Sequence, residues 1–354
     1  MKKFVIFMVA MLLIFSSMIL FFKYYNGKSN NFDRNIIRKQ VKLKDVHEFT
    51  SEKFGFVNVD YKYIYIYFYT DLSKIYNLNY ELTVIDTLNL KFPTKFDINV
   101  RRVRKNIFKN DIYTINILGD IAIFKKNNIS YKKIKNIYTD RIEVISENSI
   151  VVRSNPFKKE GRIRQLLKLD LSGHPVIAKV YTFPMHVNNI FFNDGKLYYD
   201  NVSKRIFYLY YYRGEIVSLD SNLNILKYNK TIDTIKQGNI STKPTITKLK
   251  NGLNDTRITL SIPPTVVNSS ISVNDDYIYV QSNLKADNEI QSELNKSQVI
   301  DVYQILTGKY KYSFYIPKYR GIKMRDFQIK DDLIIAIFGK YLVTYSLSKY
   351  TDKT

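Results

Sequence analysis

The 354-residue chain contains no cysteine, which excludes disulfides, thiolate catalysis, thiolate zinc sites and a lipoprotein lipobox. Hydrophobic residues make up 45% and aromatic residues 15%, with 30 Tyr, 22 Phe and no Trp, a composition that excludes a disordered chain and suits one large all-β domain or two smaller ones. The formal charge of +23 rests on 41 Lys and 14 Arg scattered along the chain among abundant Asn, Ile and Tyr, the bias that AT-rich coding imposes; base reading favours the planar fork of Arg, so nucleic acid is not expected as a partner.

The first element is apolar. Met1-Lys2-Lys3 leads into Phe4 to Phe22, interrupted only by Ser16 and Ser17, whose hydroxyls can bond back to helix carbonyls. At 1.5 Å per residue this run spans roughly 28 Å, close to the hydrocarbon thickness of a bilayer. A secretory signal has a shorter core, about 7 to 15 residues, and a small-x-small cleavage site, which this segment lacks. Phe21, Phe22, Lys23, Tyr24 and Tyr25 then form an aromatic and basic interface belt, favouring an uncleaved signal anchor in residues 1–25 over export after cleavage. Lys23, Lys28, Arg34, Arg38 and Lys39 behind the segment outnumber Lys2 and Lys3 before it, which taken alone points the main domain toward the cytoplasm. Large domains translocate largely regardless of charge, so the expectation is a single-pass protein of the inner membrane, held through residues 4–22, with a periplasmic or extracellular domain.

Residues 26–48 follow as a polar tether containing a short alternating patch, and residues 49–350 as a succession of alternating or aromatic-rich runs. The clearest runs are 61–69, 142–152, 165–171, 205–212, 271–280, 299–305, 311–316, 333–338 and 341–347. No window after residue 30 keeps an apolar stripe at helical spacing. Two classes of turn alternate. Asn193 to Lys196, Asn274 to Asp276 and Lys330 to Asp332 have the chemistry of tight hairpins, whereas Asp170 to His174, Asp220 to Asn224 and Gln304 to Lys309 follow strands of apolar-x-apolar form.

That alternation predicts a repeat. Ile190 to Tyr199, Ile271 to Val280 and Phe327 to Ile337 each read as strand, acidic turn and strand, the first two 81 positions apart and the last two 56. A four-stranded unit of about 40 to 55 residues, repeated about six times (range five to seven), is the pattern of a β-propeller; two β-sandwich-like domains are the alternative. Val299 to Pro317 followed by Ile322 to Leu347 resembles the last blades of six-bladed propellers of the broad NHL and TolB-like kind, common in Bacteroidota. The resemblance implies a propeller fold and carries no shared catalytic residues. The last unit shows three strands, so a fourth is expected from the amino-terminal side, Ile36 to Val46 being the candidate.

Chemical motifs are scarce. His47, His174 and His186 share no metal-ligand spacing, and HExxH, GxSxG, Walker and Rossmann patterns are absent. Asp275-Asp276 and Asp331-Asp332 read as hairpin turns before they read as ion ligands. The Tyr-rich runs 61–69 and 206–212 could stack on sugars or bases, but alternation sends every second ring into a core. Asn239 to Pro264 departs from the repeat as an insert with the character of a binding or surface loop. No catalytic, cofactor-binding or metal-ligating residue is assigned. The expectation is a non-catalytic binding or scaffold propeller of the cell envelope with a protein, peptide or glycan partner; an extracytoplasmic lyase or hydrolase using the central cavity is the alternative.

Overall fold

The computed structural model describes residues 8, 11–18, 30–37, 41–100, 103–155, 157–158, 161–184, 190–236, 238–248 and 254–347. Six four-stranded antiparallel sheets account for nearly all of the regular structure. Blade 1 is Phe54–Val59, Ile64–Phe68, Asp71–Leu78 and Val84–Asn89; blade 2 is Arg104–Phe108, Asp111–Ile115, Asp120–Lys125 and Asn128–Lys133. Blade 3 is Thr139–Ser146, Ser149–Ser154, Gln165–Asp170 and Val176–Thr182; blade 4 is Gly195–Asp200, Arg205–Tyr210, Glu215–Asp220 and Ile225–Lys230. Blade 5 is Asn268–Asn274, Tyr277–Ser282, Ser297–Gln304 and Tyr310–Pro317. Blade 6 takes Asp326–Lys330, Leu333–Phe338 and Tyr341–Leu347 from the carboxyl-terminal side and its outer strand, Val41–Glu48, from the amino-terminal side.

That last pairing closes the ring. Val41 lies opposite Leu347 and Glu48 opposite Tyr341, which covers an edge that would otherwise template aggregation. The closing strand expected at Ile36 to Val46 therefore exists, displaced toward the carboxyl terminus; Ile36 instead forms a single parallel bridge to Ser313 on the outside of blade 5.

Burial explains why the blades stack. Six hydrophobic clusters occupy the six interfaces between neighbouring blades, so the middle strands of each blade bury both faces. In Ile64–Phe68, Tyr65 and Tyr67 face blade 2 while Ile64, Ile66 and Phe68 face blade 6. The strand within the Tyr-rich run is thus core on both sides, as alternation requires, while Tyr61 and Tyr69 at its flanks are exposed. Outer strands such as Val176–Thr182 are mostly exposed.

The two turn classes sort differently from the sequence expectation at one place. Asp170 to His174, Asp220 to Asn224 and Gln304 to Lys309 all connect third to fourth strands; the Asp220 carboxylate accepts from the Asn222 and Asn224 amides at 2.8 and 2.9 Å. Asn274 to Asp276 and Lys330 to Asp332 are first-to-second-strand hairpins, with Asp275 and Asp331 at positive φ, 52° and 53°. Asn193 to Lys196, however, is no hairpin. It joins a short 3-10 turn, Ile190–Asn193, to the inner strand of blade 4, whose hairpin lies between Asp200 and Arg205. In register, Lys196 matches Ser270, 74 positions on, rather than the 81 that the sequence pattern suggests. One short helix, Gln291–Lys296, also interrupts the all-β pattern; it buries no side chain and leaves no periodic trace.

Insertions cluster on one end. The inner strands begin at the upper mouth of the central channel, and the hairpin Phe157–Lys158 with Gly161–Arg162, the hairpin Thr242–Lys248 with Asn254–Leu260, and the Gln291–Lys296 helix all emerge on that side. The chain also joins the fold there: the Asn30 and Asn31 amides donate to the Asp287 carboxylate at 2.8 and 3.0 Å. Most of the apolar run Phe4 to Phe22 lies outside the described residues. Met8 and residues 11–18 are helical and exposed, with the Ser16 and Ser17 hydroxyls donating to Leu13 and Ile14 carbonyls at 2.9 and 2.8 Å. Among the described residues no helix is long and apolar enough to cross a membrane.

Candidate functional site

The six inner strands surround an axial cavity of about 310 Å³. Hairpin register orders its wall. Counting back four residues from the last paired residue of the inner strand gives Arg104 in blade 2, Lys196 in blade 4 and Asp326 in blade 6, with Ser270 of blade 5 buried at the same level beside the wall residue Ser269. Blade 3 carries a bulge between Val144 and Ser146, which brings Arg141 to the same level, and blade 1 contributes Gly55 and Asn58 to the wall. Two residues further along the strands lie Asn106, Glu143, Tyr198, Ser272 and Gln328. The upper tier is thus dominated by cations and the lower by amides, hydroxyls and one carboxyl group.

The upper tier has more positive charge than it neutralises. Lys196 Nζ donates to the Asp326 carboxylate and to Ser270 Oγ, which itself donates to Asp326 at 2.6 Å. Arg104 Nε donates to the Asp140 carbonyl at 3.0 Å, Arg141 Nη1 to the same carbonyl at 2.9 Å, and Arg325 Nη2 to the Phe54 carbonyl at 2.5 Å. None of these three guanidinium groups has a carboxylate partner among the described residues. Behind Arg141, a buried cluster adds to the field: Arg153 grips Asp140 at 2.7 and 2.6 Å and Asp194 at 2.7 Å, while Arg164 lies 3.6 Å from both carboxylates. Blade 3 therefore presents three guanidinium groups against two carboxylates.

Glu143 is the lower tier's titratable group. It lines the cavity, half-buried, and its Oε2 accepts from Asn106 Nδ2 at 3.0 Å. Burial pushes its carboxyl up to about 8, opposed by Lys196, the Asn106 bond and Arg141. Lys105, one position from Arg104, also borders the cavity, but its ammonium is engaged by blade 1: its Nζ donates to the Leu72 carbonyl at 2.5 Å and sits 4.6 Å from the Tyr67 ring centroid, and burial pushes it down to about 7. Tyr69 and Tyr211 also line the cavity, and Tyr211 bonds to Arg141.

The residues singled out from the sequence lie elsewhere. His47 is on the closing strand, its ring 4.3 Å from that of Phe49; His174 is exposed in a blade 3 turn; His186 lies outside the described residues. Asp275 and Asp331 shape hairpins at the lower end. Of the Tyr-rich runs only Tyr67, Tyr69 and Tyr211 reach the cavity. Within the insert Asn239 to Pro264 the described residues form a two-stranded hairpin. Among the described residues no group of three or more His, Asp or Glu is placed to hold a metal ion. The wall residues Arg104, Arg141, Glu143 and Lys196 carry no sequence signal of their own, although the first, second and fourth are cations at one depth of their inner strands and Glu143 lies two residues further along.

The fold and its channel define the class: a six-bladed β-propeller closed by an amino-terminal strand. No protein-family model and no curated protein sequence matches the chain. Among solved structures it is similar to a member of the DUF4221 family from Bacteroides vulgatus, with a TM-score of 0.51 at 13% identity over 92% of this chain and 100% of that one. It is also similar to virginiamycin B lyase from Staphylococcus aureus, with a TM-score of 0.45 at 12% identity over 87% of this chain and 100% of that one. At such identities the likeness concerns the fold alone.

Proposed function

We propose that this chain is a membrane-anchored, non-catalytic binding propeller of the cell envelope, of the broad NHL and TolB-like kind, whose axial channel takes an anionic group of a protein, peptide or glycan partner. The observation that carries the reading is the convergence of Arg104, Arg141 and Arg325 on one cavity without carboxylate partners among the described residues, while Asp326 is occupied by Lys196. Besides carbonyls, among the described residues Arg104 reaches only the Tyr67 hydroxyl, at 3.5 Å, and Arg141 the Tyr211 side chain; a guanidinium group with neutral partners keeps its charge for a ligand, and charge-assisted bonds of this kind are the strong ones. The anchor is supported by the length and flanks of Phe4 to Phe22. Only residues 23–29 separate that run from Asn30, which is tied to the upper face, so an anchored propeller turns its cationic mouth toward the membrane surface.

The test is recovery of partners from solubilised membranes by the full chain and by an Arg104→Gln, Arg141→Gln variant. A partner retained by the parent, eluted by salt and lost by the variant is the expected result. Equal recovery by both would remove the channel from the interaction.

A lyase or hydrolase is favoured by a single feature, the Glu143 carboxyl. A group pushed up to about 8 is protonated at neutral pH and meets the requirement for a general acid. Turnover of an envelope polymer that Glu143→Gln abolishes would establish that reading in place of the first.

A further inference from the structure

We infer that the anion taken by the channel is the carboxylate of an acidic sugar, a hexuronate held with its carboxylate on the Arg104 and Arg141 tier and its ring hydroxyls on the Asn106, Glu143 and Gln328 tier. This rests on the anion-binding reading above and adds the ligand's chemistry. The two tiers lie two strand residues apart, roughly 6.6 Å, which matches the breadth of a pyranose ring with its exocyclic carboxylate. A cavity of about 310 Å³ is at the small end of the range for ligand sites and admits one such ring with water.

The lower tier decides against simpler anions. A phosphate or a short carboxylate would be satisfied by guanidinium groups and would leave the remaining donors and acceptors of Asn106, Glu143 and Gln328 unused. Those three groups offer both donors and acceptors, which hydroxyl groups require and which a peptide's apolar side chains do not. Asn106 Nδ2 already donates to Glu143, leaving its own carbonyl oxygen to accept, and Ser272 Oγ lies 3.5 Å from Gln328 Oε1, so the amides are held in place by neighbours. Burial keeps the Glu143 carboxyl protonated at neutral pH, which adds a donor and removes a charge that would repel the ligand. Tyr69 and Tyr211 also line the wall, Tyr211 bonded to Arg141, and add aromatic side chains of the kind that flank sugars.

The experiment is ligand-observed NMR and calorimetry on the detergent-solubilised full chain, with methyl glucuronide as probe, methyl glucoside as its neutral twin, and acetate and inorganic phosphate as ringless anions. Binding of the glucuronide at least about tenfold tighter than each of the other three is expected: the guanidinium bonds to its carboxylate set it apart from the glucoside, and the hydroxyl bonds to the lower tier from acetate and phosphate, each contributing on that order. Arg104→Gln with Arg141→Gln removes glucuronide binding, whereas Asn106→Ala weakens the glucuronide severalfold and leaves acetate unchanged. Circular dichroism and urea midpoints show that the variants fold. If phosphate or acetate binds as tightly as the glucuronide and Asn106→Ala changes neither, the sugar assignment fails and the anion site stands. If the neutral glucoside binds equally well, or no anion binds, the anion-binding reading falls with it.

Discussion

The amino-terminal segment is joined to the propeller by one buried ion cluster, and Arg34→Ala tests how much that junction contributes. The Arg34 and Glu289 side chains are 0% exposed and that of Asp301 2%. The guanidinium donates to Asp301 at 2.7 and 3.1 Å, to Ser282 Oγ at 2.8 Å, to the Leu284 carbonyl at 2.9 Å and to the Glu289 carboxylate. Truncation leaves two buried carboxylates without their cation. Asp301 keeps the Ser313 hydroxyl at 2.6 Å and Glu289 keeps the Tyr315 hydroxyl at 2.8 Å, so neither is stripped of every donor. The expected loss is about 3 to 5 kcal/mol, the range for removing one partner of a buried pair. Urea unfolding followed by tyrosine fluorescence, undisturbed by tryptophan because the chain has none, measures it. Arg34→Met combined with Asp301→Asn and Glu289→Gln should recover most of the stability. A loss below about 1 kcal/mol for Arg34→Ala at neutral pH would refute the reasoning, since it would mean that water or neighbouring groups solvate both carboxylates.

Three further predictions concern the closure, a buried lysine of an inner strand and a hairpin. Removing residues 1–29 should leave a folded propeller, whereas removing residues 1–48 uncovers the whole of Tyr341–Leu347 and should give aggregates by size-exclusion chromatography; a monodisperse product of the longer deletion would contradict the closure. Lys105 sits three residues before the end of its inner strand, where the other blades have Leu197, Ile271 and Phe327, so Lys105→Met should stabilise the fold at low pH. The sign follows from its depressed folded value of about 7: the folded state carries fewer protons than the unfolded state between there and 10.5, so parental stability rises with pH across that window. The gain from Met should therefore fall by about 2 to 4 kcal/mol between pH 6.5 and 9.5 in paired urea titrations, and a gain that grows with pH would contradict the burial of the ammonium. At Asp331, φ 53°, Gly should be within about 0.5 kcal/mol of the parent while Val costs about 1 to 2 kcal/mol, read from thermal midpoints; equal midpoints would contradict the left-handed turn.

Much of the fold was legible because burial on two faces leaves a mark in sequence. Leu333–Phe338 is apolar at nearly every position since Ile334 and Ala336 pack on blade 5 while Ile335 and Ile337 pack on blade 1. Third-to-fourth-strand turns were legible because Asp170 and Asp220 fold their carboxylates onto the next amides, a local interaction. The Asn193 to Lys196 segment misled because Asn-Asp-Gly is hairpin chemistry wherever it occurs. Here Gly195 answers to packing instead: a Cβ there would fall 2.2 Å from the Leu209 carbonyl oxygen. Asp194 meanwhile serves Arg153 rather than a turn. Both are tertiary demands with no local signature.

The channel was illegible for a different physical reason. In blades 4, 5 and 6 the core-facing positions of the inner strand obey one rule, so Leu197, Ile271 and Phe327 repeat in kind, with Lys105 of blade 2 the exception. The channel-facing positions beside them obey none: the same level holds Arg104, Lys196, Ser270 and Asp326, because each wall residue faces a different part of one asymmetric cavity. A repeat search therefore strengthens the core and averages the site away. Only the register of the hairpins, which depends on bulges such as that between Val144 and Ser146, brings Arg141 level with Arg104. The same division predicts how the molecule tolerates change. Gln328→Ala should shift the urea midpoint by less than about 1 kcal/mol, since its neighbour Ser272 keeps the Ile329 amide at 2.8 Å, whereas Phe327→Ala one position away should cost about 3 to 5 kcal/mol from a fully buried site. Comparable losses from the two would mean that the wall is part of the core, and the channel would then have no freedom to carry a ligand site.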